Sequence, residues 1–453
     1  MESIINEYGT ESEGESNVGS MSNNALTLNQ LSTNNTTQTN SVAAASHLAA
    51  SQISKVENQP QNTTLVPSAT SFFSLGEKSD FIPQQQQFEV IEGKLKPNEP
   101  EIMLPPGTKI LDVPSRILSA IKVAREKTDN KRGRFNNNSS IPKRQLFTLS
   151  KEHIKGVNAV KWCGEFGQVL ASASMDGTVR IWDVFRSKEC IRVISHDGAV
   201  KDIQWNSEGK TILSCGYEKL VKLTDLETGA TIQSFLHPQF VTSLRFNPSQ
   251  SNVFVAGMTK DGLISWDVRA NKIIKEFRKF WGSANDLEFF PDGSQLLTCS
   301  DYVVRNSADK NIVVWDVGSA TAVSNQIYQE AFSCTALRIH SAQKHFVAQS
   351  NANYIAIFRS ESPWRLDKRK RFEGHLVNGH PIRCNFSLEP DNGRYLVSGD
   401  SNGAIFFYDW STSKNIKSIE NAHQGPCTDV SWHPVLGGTV ASCGWDGRVL
   451  VWG

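Results

Sequence analysis

The stretch Met175–Asp183, MDGTVRIWD, decides the fold, because a closely similar stretch, Trp445–Trp452, WDGRVLVW, returns near the end of the chain. Each combines a tight turn containing glycine with a strand of alternating residues that ends at or next to Trp. The equivalent strand ends lie 42, 42, 49, 43, 50 and 44 residues apart. They are Trp182, Thr224, Trp266, Trp315, Phe358, Tyr408 and Trp452. A period of this length predicts a repeat protein of seven units.

Each unit contains several short strands of period two, joined by turns rich in Gly, Asn and Asp. Four-stranded units that repeat every forty or so residues predict an all-β fold, a seven-bladed β-propeller. The last unit ends after its third strand at Gly453, so its fourth strand must come from elsewhere in the chain. We expect Gln145–Leu149, QLFTL, to close the ring, which removes exposed sheet edges.

Charge divides the chain into three parts, although the net charge is only +1. Residues 1–92 carry ten acidic and two basic side chains among many Ser, Asn and Gln, and such a composition predicts a disordered arm. Residues 93–144 carry twelve basic and five acidic side chains and form a basic neck. Residues 145–453 are nearly neutral and are assigned to the propeller, with the boundary near Pro142.

The neck contains one amphipathic segment, at about 114–127. Pro114 stands near the expected first turn, and Ile117, Leu118, Ile121 and Ala124 fall on one face of a helix. A short helix is marginal in water, so this apolar stripe must pack against something. Docking on the propeller itself and docking on a partner protein both remain open.

The eight cysteines lie between Cys163 and Cys443 without a C-x-x-C pair, and three recur at one repeat position. They are expected to be small buried hydrophobes of a reducing compartment, with no metal site and no disulfide framework. No apolar run approaches the ~20 residues of a membrane helix, and the acidic N-terminus does not resemble a secretion signal. We expect a soluble intracellular protein without a cofactor or a small-molecule substrate.

The first and last repeats share four polar or aromatic residues at nearly constant offsets. They are His153, Ser172, Asp176, Trp182, and His423, Ser442, Asp446, Trp452. Ser, His and Asp could suggest a catalytic triad, but recurrence in two repeats favours a buried hydrogen-bond network. With this pattern the chain resembles the WD-repeat family, which implies that each set forms a structural tetrad.

More specific stretches resemble one branch of that family, around WD repeat-containing protein 25 and pre-mRNA-processing factor 17. They are Thr224–Gly229 (TDLETG), Arg305–Asp316 (RNSADKNIVVWD), Ser324–Glu330 (SNQIYQE) and Lys368–Gly379 (KRKRFEGHLVNG). The resemblance covers residues 141–453 and not the arm. It implies a nuclear, spliceosome-associated protein whose partners are proteins of a large assembly, with RNA contact left open.

Lys368, Arg369, Lys370 and Arg371 form the sharpest charge cluster of the chain. Consecutive basic residues are typical of nuclear localisation signals and of contacts to RNA phosphates. They also occur on outer strands, where charge prevents edge-to-edge pairing. The sequence is compatible with a nuclear signal or RNA contact and with edge protection.

Three large side chains precede the hairpin acid, or its equivalent, in blades that become neighbours when the ring closes: Met175, Tyr217 and Trp445. Exposed together on one face they would be a protein-binding hot spot, since aromatic and Met side chains are enriched at interface centres. The alternative is that each packs against its own hairpin.

These observations predict a non-catalytic scaffold of pre-mRNA splicing rather than an enzyme, since phosphate-loop, dinucleotide and nucleophile-elbow motifs are absent. A second function is also open. Trp266-Asp267-Val268-Arg269 resembles the WD-x-R element with which substrate receptors of cullin-RING ubiquitin ligases bind their adaptor.

Overall fold

The computed structural model describes most of the propeller and little of the segments before it. Described are residues 112–114, 117, 119, 141–149, 153–164, 166–260, 262–278, 282–301, 311–324, 327, 332–342, 344–388 and 391–453. The predicted disordered arm and most of the predicted helix at about 114–127 lie outside these ranges.

The described chain contains 28 strands. The closing strand and blades 1 to 4 comprise β1 (Gln145–Thr148); β2 (Val157–Trp162), β3 (Leu170–Ser174), β4 (Thr178–Asp183), β5 (Glu189–Ser195); β6 (Val200–Trp205), β7 (Thr211–Gly216), β8 (Leu220–Asp225), β9 (Thr231–Leu236); β10 (Val241–Phe246), β11 (Val253–Met258), β12 (Leu263–Asp267), β13 (Lys272–Phe277); β14 (Ala284–Phe289), β15 (Gln295–Ser300), β16 (Ile312–Asp316) and β17 (Thr321–Ser324). Blades 5 to 7 comprise β18 (Cys334–Ile339), β19 (His345–Ser350), β20 (Tyr354–Arg359), β21 (Leu366–Glu373); β22 (Cys384–Phe386), β23 (Tyr395–Gly399), β24 (Ile405–Asp409), β25 (Asn415–Ile419); β26 (Cys427–Trp432), β27 (Val440–Gly444) and β28 (Val449–Trp452).

The strands form seven four-stranded antiparallel sheets. The first strand of each sheet contacts the first strands of both neighbouring sheets, and these contacts run from β2 through β6, β10, β14, β18, β22 and β26 back to β2. A closed ring of seven sheets around a central channel is a seven-bladed propeller. The all-β propeller predicted from the repeat spacing is confirmed.

The ring is closed by a strand from the N-terminal side of the domain. β1 pairs antiparallel with β28, with Gln145 opposite Trp452 and Thr148 opposite Leu450. Beyond the strand, the Leu149 N–H donates to the Val449 carbonyl at 2.8 Å. The strand predicted at Gln145–Leu149 therefore occupies the outer position of blade 7 and covers an edge that would otherwise be unpaired.

Antiparallel strands give the propeller two different ends. The hairpins between second and third strands and the loops between successive blades share one end, here called the hairpin face; the other two turns of each blade share the turn face. Gly177, in the first hairpin, has a φ of 83°, and a Cβ there would lie 2.9 Å from the His196 carbonyl oxygen. Glycine is therefore required at this hairpin by both conformation and space.

Alternation along each strand sends consecutive side chains to opposite neighbouring blades. In β4, Ile181 packs with Val200 and Ile203 of blade 2. The next residue, Trp182, packs with Ala441 and other residues of blade 7. Because each blade is buried on both faces, the core is a ring of inter-blade layers rather than one central cluster.

The eight cysteines are free and buried. Burial raises the pKa of the Cys163 thiol to about 12. Within the described ranges, no helix is long and apolar enough to cross a membrane. No group of three or more His, Cys, Asp or Glu side chains in this part of the chain is placed to hold a metal ion.

Two described residues, Ile117 and Ser119, fall within the helix predicted in the neck. Ile117 and Ser119 are helical; Ile117 is buried and Ser119 is exposed. The Asp112 carbonyl accepts a hydrogen bond from the Arg186 guanidinium of blade 1 at 2.7 Å. The Asp112 contact joins the residue before this segment to blade 1, and the extent and the docking of the helix stay predictions.

Candidate protein interface

The four residues singled out in the first repeat form one chain of hydrogen bonds. Trp182 Nε1 donates to Ser172 Oγ at 2.8 Å, and Ser172 Oγ lies 2.8 Å from His153 Nε2. His153 Nδ1 lies 2.8 Å from Asp176 Oδ2. Because an ionised carboxylate can only accept, the Nδ1–H of His153 donates to Asp176; in that tautomer Nε2 accepts from the Ser172 hydroxyl, whose oxygen accepts from the indole.

The last repeat contains the same chain. Trp452 Nε1 donates to Ser442 Oγ at 2.9 Å, Ser442 Oγ lies 2.9 Å from His423 Nε2, and His423 Nδ1 lies 3.1 Å from Asp446 Oδ1. Each carboxylate also accepts from a backbone N–H of the entering loop, that of Ile154 for Asp176 and that of Gln424 for Asp446. The tetrad therefore ties the hairpin to the loop that enters the blade, and so fixes the hairpin face.

Burial alone would raise the pKa of Asp176, but hydrogen bonds from His153 and Thr178 hold it well below its ordinary value. The pKa of Asp446 is lowered in the same way, by His423 and by backbone donors that outweigh burial. Both carboxylates are thus ionised acceptors in the folded chain.

Blade 2 carries a variant of this network that sequence reasoning missed. His196 Nδ1 lies 2.6 Å from Glu218 Oε1, and His196 Nε2 lies 2.8 Å from Ser214 Oγ. Thr224 occupies the position of the tryptophan, and its buried hydroxyl has no hydrogen-bond partner. The available signal was Glu218 itself, which stands where blades 1 and 7 have aspartate.

The three predicted hairpin residues take equivalent places on the hairpin face. The backbone N–H groups of Met175, Tyr217 and Trp445 donate to the carbonyls of Gly156, Ala199 and Pro426, one in each entering loop. Tyr217 and Trp445 are 39% and 37% exposed, and Met175 is half-buried. All three side chains therefore combine local packing with contact to solvent.

Each of the two aromatic residues extends toward a neighbouring blade. The Tyr217 ring lies 5.3 Å from the Phe240 ring of blade 3. The Trp445 ring lies 4.9 Å from the His380 ring, and a Cβ on Gly156 of blade 1 would lie 3.1 Å from its Cδ1 atom. The apolar surface is thus wider than the three residues predicted from sequence.

Further exposed apolar side chains belong to the loops of this face, with Ile154 78% exposed. We call the following set the apolar arc: Ile154, Met175, Tyr217, Phe240, Leu376 and Trp445. In blades 4 and 5 the hairpin position holds the polar residues Asp301 and Asn351 instead. The arc runs from blade 6 through blade 7 to blade 3, and Phe332, in the loop that enters blade 5, is a further exposed apolar side chain of this face outside the arc.

The basic cluster lies on β21, the outer strand of blade 5, and its members differ. Arg371 forms an ion pair with Glu373 and its guanidinium lies 5.1 Å from the centre of the Tyr354 ring. Lys370 Nζ donates to the Ser411 carbonyl of blade 6 at 3.0 Å. Among the described residues, the side chains of Lys368 and Arg369 have no hydrogen-bond or ion-pair partner.

The Lys370 contact recurs at other blade junctions. Arg192 donates to the Glu227 carbonyl at 2.7 Å, Lys275 to the Val317 carbonyl at 2.9 Å, and Lys417 to the Pro142 carbonyl at 2.6 Å. In each case a basic residue of an outer strand joins the next blade. Lys370 therefore links blade 5 to blade 6. Lys368 and Arg369 remain candidates for a contact with another molecule.

A buried ion network around the channel also escaped the sequence reasoning. Asp202, fully buried, lies 2.9 Å from Arg383 and 3.2 Å from Lys161. Its Oδ2 accepts the Leu244 N–H of the next blade at 3.1 Å, and Asp286 and Asp429 accept Leu337 and Val160 in the same way. Buried charges in such networks link blades, and the recurring polar residues of the first strands were their signal.

The element resembling WD-x-R is engaged within the fold. Trp266 is buried, and its Nε1 donates to His237 Nε2 at 3.0 Å. Asp267 Oδ1 accepts the backbone N–H groups of Arg269 and Ala270 at 2.8 and 3.2 Å. Trp266 and Asp267 therefore form hydrogen bonds within blade 3.

Comparison with family models identifies the repeats. The model described as "WD domain, G-beta repeat" matches residues 143–183 and 413–453, the two repeats with complete tetrads. A second model, described as "Eukaryotic translation initiation factor eIF2A", matches residues 172–334, which is less than half of the chain. This second match lies across blades 1 to 4.

Several curated proteins are similar to the propeller. "WD repeat-containing protein 25" of Mus musculus is 35% identical over 317 residues, which cover 69% of this chain and 58% of that protein. "Pre-mRNA-processing factor 17" of Homo sapiens is 34% identical over 315 residues, 69% and 52%, and that of Saccharomyces cerevisiae 29% over 307 residues, 66% and 64%. The chain thus spans less than two thirds of the length of these relatives. Their names do not favour a ubiquitin-ligase receptor.

Proposed function

Because this chain is a seven-bladed WD-repeat propeller, we propose that it is a non-catalytic platform of a nuclear pre-mRNA splicing assembly, on which the apolar arc binds a protein partner. Its similarity to pre-mRNA-processing factor 17 in human, mouse and yeast supports the splicing role. The exposed Tyr217 and Trp445 on a rigid face are the observation that carries the binding role.

The tetrads support a structural rather than a catalytic role for Ser, His and Asp. Ser172 and Ser442 are both fully buried, and each accepts a tryptophan N–H. A nucleophile must reach its substrate, and neither hydroxyl has solvent access. The same atoms instead fix the hairpins that present the arc.

The arc has the physical properties of an interface centre. Aromatic side chains provide a large contact area at small entropic cost, and partly exposed Tyr and Trp offer polar atoms besides. Blades 7, 1 and 2 hold their hairpins with tetrads or a near-complete tetrad, so the side chains are pre-organised. Rigid presentation lowers the cost of binding.

The test compares two triple variants of the full chain. Met175→Ser, Tyr217→Ser and Trp445→Ser together should reduce recovery of spliceosomal proteins by at least about tenfold, the effect of losing about 1.4 kcal/mol of binding. The matched control changes three exposed isoleucines of outer strands, Ile232, Ile273 and Ile416, to Ser. Loss of partners in the control alone, or an arc variant that retains them, would reject the arc as the interface.

We further propose that Lys368 and Arg369 contact RNA or a nuclear import receptor. Changing both to Gln should weaken nuclear accumulation or crosslinking to RNA, because their side chains are free to meet phosphate or carboxylate groups. Lys370→Gln is the matched control: it should lower thermal stability slightly and leave localisation unchanged. If the double variant behaves like wild type in both assays, β21 is only a protected edge strand.

A further inference from the structure

The junction between blades 3 and 4 contains a pocket of about 380 Å³ at the turn face, away from the apolar arc. Its walls come from turns of both blades and from β12 and β13. Exposed Ile274 stands in one wall, so the pocket opens to solvent. This size is at the lower end of the range for ligand pockets, which begins near 300 Å³.

The floor of the pocket contains a polar residue that breaks the repeat. Ser265 is 2% exposed and lies immediately before Trp266 in β12. At the same register position the other six blades have large apolar residues, all buried: Ile181, Leu223, Val314, Ile357, Phe407 and Val451. Within the described part of the chain the Ser265 hydroxyl has no hydrogen-bond partner. This hydroxyl lines the pocket, so it can accept a hydrogen bond from a molecule bound there.

The equivalent space at two other junctions is filled by aromatic rings of the chain itself. Between blades 5 and 6, the His340 ring lies 4.6 Å from the Trp410 ring. Between blades 7 and 1, the His433 ring lies 5.5 Å from the Phe185 ring. Each histidine follows the first strand of one blade, and each partner follows the third strand of the next.

At the junction of blades 3 and 4 the same positions hold smaller residues. Asn247 stands in place of the histidine, and Val317 and Gly318 stand where Trp410 and Phe185 lie in their own junctions. The pocket therefore occupies the place that aromatic side chains of the chain fill at those two junctions. A cavity of about 150 Å³ is already enough for a benzene ring, so an indole fits here with part of its backbone.

From this comparison we infer that the pocket binds the side chain of a tryptophan presented by an extended peptide of a partner protein. The indole N–H donates to Ser265 Oγ, as Trp182 donates to Ser172 within blade 1. The Lys275 ammonium, which donates to the Val317 and Gly318 carbonyls, lines the pocket and offers a cation to the ring face. Among aromatic side chains that form hydrogen bonds, the indole of tryptophan is the largest, and its N–H is a single donor without an acceptor.

The charges around the pocket specify the flanking residues. Asp292 and Asp316 line it, and both are at least partly exposed. Hydrogen bonds from Ser319 lower the pKa of Asp316, so this carboxylate is ionised. The two carboxylates therefore favour a basic residue next to the tryptophan. This site goes beyond the proposed function, because it lies on the other face and does not require a spliceosomal partner.

The test uses the full chain and short capped peptides. Acetyl-Gly-Trp-Lys-amide should bind in ligand-observed NMR titrations, whereas acetyl-Gly-Ala-Lys-amide should not. Replacing tryptophan by 1-methyltryptophan removes the donor and should weaken binding about fivefold, the usual value of one hydrogen bond. In Ser265→Ala the two aromatic peptides should bind alike.

Two filling variants block the pocket in different ways. Val317→Trp copies Trp410, and Gly318→Phe copies Phe185; each should weaken the tryptophan peptide at least about tenfold. Gly318 is exposed, and a Cβ there meets only the Asp316 carboxylate at 3.2 Å, so the second variant should fold even if the first does not. Unchanged binding in a folded filling variant, equal binding of the alanine peptide, or no binding to wild type would overturn the inference.

Discussion

Blades 1 and 3 bury the same pair of side chains, a histidine from the entering loop and a tryptophan from the third strand, and satisfy them differently. In blade 1 the indole N–H reaches His153 through Ser172, and the imidazole faces Asp176. In blade 3 Ala256 takes the register position of Ser172, and Trp266 Nε1 donates directly to His237 Nε2. The second nitrogen, His237 Nδ1, lies 3.0 Å from the Phe235 carbonyl.

The tetrad is therefore one of several ways to pair the same buried nitrogens. Blade 3 has alanine in place of the serine, and because the indole donates to the imidazole directly, both ring nitrogens of His237 still have partners. What changes is the response to acid. Burial lowers the pKa of His237 to about 4, and the hydrogen bond to the Phe235 carbonyl opposes this shift. A neighbouring carboxylate stabilises the protonated form of a histidine, and an uncharged carbonyl stabilises it far less.

The largest expected effect comes from breaking the blade 1 network at its centre. Ser172→Ala leaves Trp182 Nε1 and His153 Nε2 buried without their shared partner. At ~2 kcal/mol for each unpaired group, the free energy of unfolding should fall by about 4 kcal/mol. Chemical denaturation measures it, and Ser442→Ala in blade 7 should cost a similar amount.

A loss below about 1 kcal/mol in both serine variants would contradict this prediction. It would mean that the indole and imidazole nitrogens re-pair directly, as they do in blade 3. The comparison between the blades would then concern geometry alone. Ala256→Ser tests the reverse change, and should not stabilise blade 3, because both ring nitrogens of His237 already have partners.

The second prediction concerns pH. Near its ordinary pKa of 6.5, His237 gains a proton in the unfolded chain, while the folded chain binds it only near pH 4. The free energy of unfolding should therefore fall as pH decreases from 6.5 to 4, by up to about 3 kcal/mol from this residue. His375 in blade 6, whose pKa burial also lowers to about 4, adds to the same slope.

His237→Gln isolates the contribution of blade 3. A glutamine amide can accept from Trp266 and donate to Phe235, but it does not titrate. The variant should flatten the dependence of unfolding free energy on pH between 6.5 and 4, whereas Ser172→Ala should keep the wild-type slope. An unchanged slope in the glutamine variant would show that another group controls acid unfolding.

The repeat spacing was sufficient to predict the fold, since a four-stranded blade fixes both strand order and ring closure. The closing strand near Gln145 followed from the missing fourth strand of blade 7. The predicted tetrads required only constant offsets, and their residues lie within hydrogen-bond distance. Hairpin positions such as Trp445 could be placed on one face because the hairpins share one register.

What the sequence did not reveal are contacts between blades, which join residues forty or more positions apart. Lys370 is indistinguishable from its basic neighbours until its contact with Ser411 is seen. The pocket was missed because it arises from small residues in three separate turns or strands. Ser265 did carry a signal, as a polar residue where every other repeat is apolar, but its meaning depends on the volume around it.

The network of blade 2 is intermediate between those of blades 1 and 3, and the change in stability expected there is the smallest. It keeps His196, Ser214 and Glu218 but has Thr224 in place of tryptophan, with a buried hydroxyl that lacks a partner. Thr224→Val removes this hydroxyl at nearly constant volume and should raise the free energy of unfolding by about 1 kcal/mol. Thr298→Val is the matched control, because Thr298 Oγ1 accepts from Trp315 Nε1 at 2.8 Å; it should lower the free energy instead. If the two buried Thr→Val changes shift the free energy of unfolding in opposite directions, a general effect of β-branched packing is excluded. Equal signs, measured by denaturant titration, would mean that the partner of the hydroxyl does not decide its contribution.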